Sequence, residues 1–182
     1  KSGGKTTAPA RKLSDLCRLL PDQAEIHFYI DGVDLKIESG SGKYNLTTLP
    51  SEDFPVFESE DSLSEISISP LNLKTLISTT SFAMGSDSWR SYLSGLNLII
   101  DDKTITAVAT DQSRLAVANS SLNTAVSENI SGIVPKKSIN EIGKLVSEAS
   151  ENIIIKLGTS SISVNAGGTN FVSKLIEGKF PD

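Results

Sequence analysis

"VPKKSINEIGKLV" at residues 134–146 reads as a proline followed by an amphipathic helix, with Ile139, Ile142, Leu145 and Val146 at helical spacing. The same pattern stands in "APARKLSDLCRLLP" at residues 8–21, where Leu13, Leu16, Cys17 and Leu20 share an apolar face. Pro9 and Pro135 are 126 residues apart (135 − 9), and at that offset Arg11 meets Lys137, Leu13 meets Ile139, Asp15 meets Glu141 and Arg18 meets Lys144. Further along, Gly32 matches Gly158, Gly42 matches Gly168 and Leu49 matches Leu175. Each copy closes on a Phe-Pro pair, Phe54–Pro55 and Phe180–Pro181. A one-residue slip, placed in the hairpins, brings Leu35 and Ile37 onto Ile162 and Val164.

Solenoid repeats run to roughly 20–50 residues, so this period is that of a whole domain. Tandem copies of one fold are expected. Residues 1–57 form the back half of a first domain, 58–65 an acidic linker within "VFESEDSLSE", and 66–182 a second domain. The chain is therefore expected to begin inside a domain, as a fragment of something longer. Each back half reads helix, strand, strand, strand. The strands are "EIHFYI", "DLKIES" and "KYNLTTL" in one copy, and "NIIIKL", "SISVNA" and "NFVSKL" in the other. In the front half of the second copy, "ISISP" leads into the helix "LNLKTLISTTSFAM", with Leu73, Leu76 and Ile77 on one face and Pro70 standing before it. The strands "LNLII", "TITAVATD" and "RLAVANS" follow, so the domain itself reads as two similar helix-plus-sheet halves. The fold class is α+β.

Composition sets the outer limits. The 182 residues are 38% hydrophobic and 21% charged, a balance suited to a folded protein. No apolar run approaches the roughly 20 residues that span a bilayer, and "KSGGKTTAPA" lacks the apolar core of a secretory signal, so no membrane partner is expected. Cys17 is alone, and a cytoplasmic setting is the plain reading. Lys plus Arg total 17 against 22 Asp plus Glu, a net charge of −5. That excludes a protein coating nucleic acid with its whole surface, and leaves room for a local basic face.

The chemistry-bearing residues are sparse. "GGKT" at 3–6 lacks the earlier glycine and preceding strand of a phosphate-binding loop, and Pro9 opposes a helix starting there. His27 is the only histidine, Cys17 and His27 lack zinc-finger spacing, and no "GxSxG" elbow occurs. No catalytic residue, metal or cofactor is expected. The helices offer more: Arg11 and Arg18 lie seven residues apart on one face, and Lys137 and Lys144 repeat the geometry, with Lys12 and Lys136 beside them. A single such helix is an ordinary solvated face. Two copies in the same phase suit contact with phosphates independent of base sequence, diluted by Glu141 and Glu148.

Two further stretches stand out, "SDSWRSYLSG" at 86–95 and "ATDQSRLAV" at 109–117. In the second, Asp111 can accept bonds from the turn's amides and pair with Arg114. Trp89 and Tyr92 equally suit partly buried packing positions. Leu93, Leu115 and the turn can form an apolar recess rimmed by Arg90 and Arg114, a peptide anchor.

"WRSYLSG", "VATDQSRLAV", "IVPKKSINEI" and "FVSKLIEGKFPD", in this order along nearly the whole chain, resemble the bacterial sliding clamp family, the beta subunit of DNA polymerase III. The resemblance implies the DNA-clamp fold: three similar domains per chain, with helices on one face of antiparallel sheets. It also implies a homodimeric ring around duplex DNA, in the cytoplasm at the nucleoid. Equivalent cationic helices would then face a shared hole, with Arg11, Arg18, Lys136, Lys137, Lys144 and Tyr92 as DNA contacts. The family's peptide pocket, which takes motifs from the replicative polymerase, the clamp loader and repair proteins, maps onto Leu93, Thr110, Arg114, Leu115 and Pro181. The family commonly has Gly-His where this chain has Gln112-Ser113, and an aromatic where it has Ser91. The expected function is that of a processivity factor without catalysis. The alternatives are a peptide-binding adaptor of the same fold without ring function, and an enzyme with an unrecognised site.

Overall fold

The computed structural model describes residues 4–55, 64–86 and 89–181. It divides into two compact units, Lys1–Phe57 and Glu58–Asp182. In the first, α1 (Ala10–Leu19) precedes β1 (His27–Asp31), β2 (Asp34–Ser39) and β3 (Gly42–Thr47), an antiparallel meander in the order β1-β2-β3. Leu35 and Ile37 alternate with Lys36 on the central strand and are its buried pair.

The second unit holds two sheets and two helices. Its elements are β4 (Ser64–Ile68), α2 (Pro70–Thr80), β5 (Gly95–Asp101), β6 (Thr104–Thr110), β7 (Leu115–Ser121), β8 (Ile130–Pro135), α3 (Lys136–Glu148), β9 (Ile153–Leu157), β10 (Ser161–Ala166) and β11 (Thr169–Lys174). The sheets run β7-β6-β5-β8 and β11-β10-β9-β4. Each half therefore lends its first strand to the other: β4 pairs with β9, and β8 pairs with β5. This exchange locks the halves into one core, which α2 and α3 fill with Leu73, Leu76, Ile139 and Ile142 against Leu96, Ile105, Ile155 and Val164. Burying side chains of this size stabilises the unit by about 1.5–3 kcal/mol each.

Local chemistry sets the helix starts. Ser69 caps α2 by accepting from the Asn72 amide at 3.2 Å, and Pro70 is the first helical residue rather than the one before the helix. α3 follows Pro135 with no side-chain cap; the Lys136 amide instead donates to the Ser94 carbonyl at 3.2 Å.

Several expectations need correction. Ser64 and Glu65, assigned to the linker, begin β4: Ser64 is buried opposite Leu157, and Glu65 stands opposite Lys156 and pairs with it at 2.9 Å. Linker residues 58–63 lie outside the described residues. Strand β8 was not anticipated, because Gly132 and Pro135 weaken the strand pattern; as an edge strand beside β5 it tolerates both. Cys17, expected on an apolar face, is exposed, and α1 buries none of its residues. α3 has α2 and the sheets to pack on, whereas among the described residues the first unit has no second helix to cover α1. For the same reason Phe28 is 52% exposed while its counterpart Ile155, flanked by β4, is 1% exposed.

The slip in the repeat also moves. Phe28 faces Ile37 and Ile30 faces Leu35, as Ile155 faces Val164 and Leu157 faces Ile162. The offset is already 127 (155 − 28) at the first strand, so the extra residue falls between helix and strand and not in the hairpins. The equivalent turn glycines are Gly40 and Gly167, at φ 57° and 56°, and not Gly42 and Gly168.

Candidate functional site

A cavity of about 1000 Å³ opens in the second unit between the β5-β6-β7-β8 sheet and the chain's last described segment. Thr110, Leu115 and Val117 line one side; Ile133, Ile176 and Pro181 line the other. The last segment is held by two backbone bonds: the Ile176 amide donates to the Ile133 carbonyl, and the Leu175 amide to the Ser160 carbonyl, both at 2.8 Å. Glycines permit the close approach, since a Cβ on Gly132 would lie 2.7 Å from Leu175 Cδ1. Leu115 is 66% exposed, as an anchor for an apolar ligand must be before it binds.

The turn from β6 to β7 shapes the rim. Asp111 Oδ1 accepts from the Ser113 and Arg114 amides at 3.0 and 3.1 Å, and Oδ2 accepts from Arg114 Nε at 2.9 Å. Thr110 Oγ1 donates to the Arg114 carbonyl at 2.7 Å and accepts from the Gln112 amide at 3.1 Å. Burial would push the Asp111 carboxyl up, but the two amides and the guanidinium outweigh it and hold the group below its ordinary 3.8. Gln112 sits at φ 77°, a left-handed conformation that favours glycine.

Of the five residues expected in a peptide pocket, Thr110, Leu115 and Pro181 line this cavity; Leu93 and Arg114 do not. Leu93 is 3% exposed on a one-turn 3-10 helix, Ser91–Leu93, whose Leu93 carbonyl accepts from the Gly85 amide at 2.8 Å. Arg114 stands at the turn, paired with Asp111. Sequence reasoning missed Ile133 and Ile176, which join the cavity through the unanticipated strand β8; the Phe-Pro pair was the available pointer to that wall.

On α3, Lys136, Lys137 and Lys144 are exposed, opposite the buried Ile139, Ile142 and Val146. Lys144 Nζ is 2.8 Å from Glu141 Oε1, an exposed pair that offsets part of its charge. Arg11 and Arg18 are exposed on α1. Tyr92 is half-buried on the Ser91–Leu93 turn. Trp89 is 92% exposed and so is not a packing residue. No helix among the described residues is long and apolar enough to cross a membrane.

Comparison with known proteins agrees with this architecture. Residues 67–182 match the family "DNA polymerase III beta subunit, central domain", and residues 1–58 match "DNA polymerase III beta subunit, N-terminal domain". The chain is 37% identical to the beta sliding clamp of Vibrio cholerae over 179 residues, covering 98% of this chain and 49% of that protein. The crystal structure of the DNA polymerase III subunit beta from Pseudomonas aeruginosa superposes with a TM-score of 0.93 at 37% identity, over 98% of this chain and 49% of that one. A second Pseudomonas aeruginosa sliding-clamp structure, bound to griselimycin, gives a TM-score of 0.92 at 37% identity, over 98% and 48%. The chain thus spans about half the length of the relatives it matches. With both units matched in order, the chain belongs to the DNA polymerase III beta subunit family.

Proposed function

We propose that the protein to which this chain belongs is a processivity factor, closing as a homodimeric ring around duplex DNA and tethering its partners without any catalytic step. The observation that carries this reading is the repeated helix, α1 and α3, with Arg11 and Arg18 on one copy and Lys136, Lys137 and Lys144 on the other, all exposed on an otherwise acidic chain. Cations in that arrangement neutralise phosphates without reading bases, and weak, salt-sensitive contacts permit sliding. Topology, rather than tight binding, then keeps the ring on DNA. Tyr92, beside the start of α3, adds a contact.

Polymerase, clamp loader and repair proteins dock through short apolar peptide motifs in the cavity walled by Thr110, Leu115 and Pro181, with Arg114 at its turn. A relative that binds griselimycin supports a ligand site on this architecture. Apolar side chains buried there give affinities on the order of micromolar. The test is primer extension on a long template with the full-length protein. Product length rises when it is loaded and falls back when a Leu/Phe-containing clamp-binding peptide competes; products of unchanged length would remove the reading.

A further inference from the structure

Four polar side chains are buried among the described residues: Ser64, Thr80, Asn97 and Ser138. Three have partners. Ser64 Oγ donates to the Glu128 carbonyl at 3.3 Å, Thr80 Oγ1 donates to the Leu76 carbonyl at 2.6 Å, and the Ser138 and Ser173 hydroxyls lie 2.7 Å apart. The Asn97 carboxamide, 7% exposed, has no hydrogen-bond partner among the described residues. Leu96 and Leu98 on either side of it point into the core, so Asn97 points the other way, into the cavity. Its polar atoms stay reachable from there, since no side-chain nitrogen or oxygen among the described residues is both sealed off and unpaired. Asn97 stands at the centre of a row that crosses the sheet. Its register partners are Val108 on β6 and Ile133 on β8; Val108 in turn faces Val117 on β7, and Ile133 bridges to Ile176. All five line the cavity, so an apolar floor carries one polar group at its middle, at a strand position that disfavours asparagine.

We propose that Asn97 is a specificity-determining residue of this cavity and selects a docked peptide that inserts a tyrosine; the inference rests on the peptide-docking reading above. Thr110 Oγ1 is committed to the β6–β7 turn, and Ser131 and Thr159 are exposed and keep their water. Asn97 is therefore the polar group that an inserted side chain strips of water. An amide covered without a partner opposes binding, and a leucine or phenylalanine would leave it so. An ionised tip would meet a row of Val and Ile that holds no opposite charge. A phenol matches both features. Its ring packs on Val108, Val117 and Ile133, and its hydroxyl can donate to the amide oxygen or accept from the amide nitrogen.

Calorimetry on the full-length protein compares two clamp-binding peptides that are identical except for Tyr or Phe at the inserted position. The Tyr peptide is expected to bind about tenfold more tightly, because only its hydroxyl satisfies the amide. Asn97→Leu is expected to reverse that order and, by completing the apolar row, to raise the denaturation midpoint. Equal affinity of the unaltered protein for the two peptides, or tighter binding of the Phe peptide, overturns the proposal and leaves peptide docking standing. So does a Tyr preference that survives in Asn97→Leu. A lower midpoint in Asn97→Leu also overturns it, since the amide would then be held by the fold itself. Binding of neither peptide overturns both readings.

Discussion

The Ile176 amide donates to the Ile133 carbonyl at 2.8 Å, and this bond turns the segment after β11 into the second wall of the cavity. Gly95 makes the approach possible: a Cβ there would meet the Val134 carbonyl oxygen at 2.6 Å, Ile133 Cγ2 at 2.7 Å and Ile176 Cδ1 at 3.0 Å. The carbonyl cannot rotate away without breaking the β5–β8 pairing. Gly95→Ala is expected to cost about 1–3 kcal/mol in urea denaturation and to weaken peptide binding at the displaced wall. An unchanged midpoint would show that the wall yields freely.

Gln112, at φ 77°, carries a side chain where the backbone favours none. Gln112→Gly is expected to stabilise the protein by about 1 kcal/mol, because the Cβ penalty of the left-handed region exceeds the entropy that glycine adds to the unfolded chain. A lower denaturation midpoint would contradict this.

Leu115 and Leu93 separate binding from packing. Leu115→Ala removes an exposed cavity side chain, so stability should hold within about 0.5 kcal/mol while calorimetry records a large loss of peptide affinity. Leu93→Ala removes a buried one and is expected to cost about 2–5 kcal/mol of stability. A stable Leu93→Ala protein that no longer binds peptide would return Leu93 to the pocket.

The Asp111 carboxyl is held low by two amides and Arg114, so the turn it organises is fully supported at neutral pH. The sign follows from a depressed carboxylate: its contribution is complete above the ordinary value of 3.8 and is lost as pH falls through the lower folded value. Amide exchange at Ser113 and Arg114 should accelerate only below that range, and Asp111→Ala should show the fast exchange already at pH 7. Loss of protection at pH 5 would place the carboxyl elsewhere on the scale.

Much of this architecture is legible in the residues, and the failures have physical causes. Helical spacing of Ile139, Ile142 and Val146 and alternation at Leu35 and Ile37 identify elements because burial imposes those periods. The register of the repeat is misplaced because Gly42 and Gly168 match by letter, while the turns select Gly40 and Gly167 by their positive φ. Strand β8 hides because an edge strand can hold glycine and proline, and the Ile133 wall of the cavity hides with it. The burial of Leu93 is not legible, because a one-turn helix aims it inward and no periodicity reports that. The exposed phase of Lys137 and Lys144 is legible; the pairing of Lys144 with Glu141 needs coordinates, although their spacing allows it.

In the proposed reading those lysines set the salt response. Replacing Lys137 and Lys144 with Glu in the full-length protein should weaken duplex binding and reduce the slope of log affinity against log salt by about one to two. An unchanged slope would remove α3 from the DNA contact.

The most direct test of a topological tether is retention of the full-length protein on circular duplex DNA, counted by gel filtration before and after one restriction cut. The account predicts a protein that stays with the intact circle and runs off once the circle is opened. Equal retention on closed and cut DNA, or none on either after loading, would contradict it.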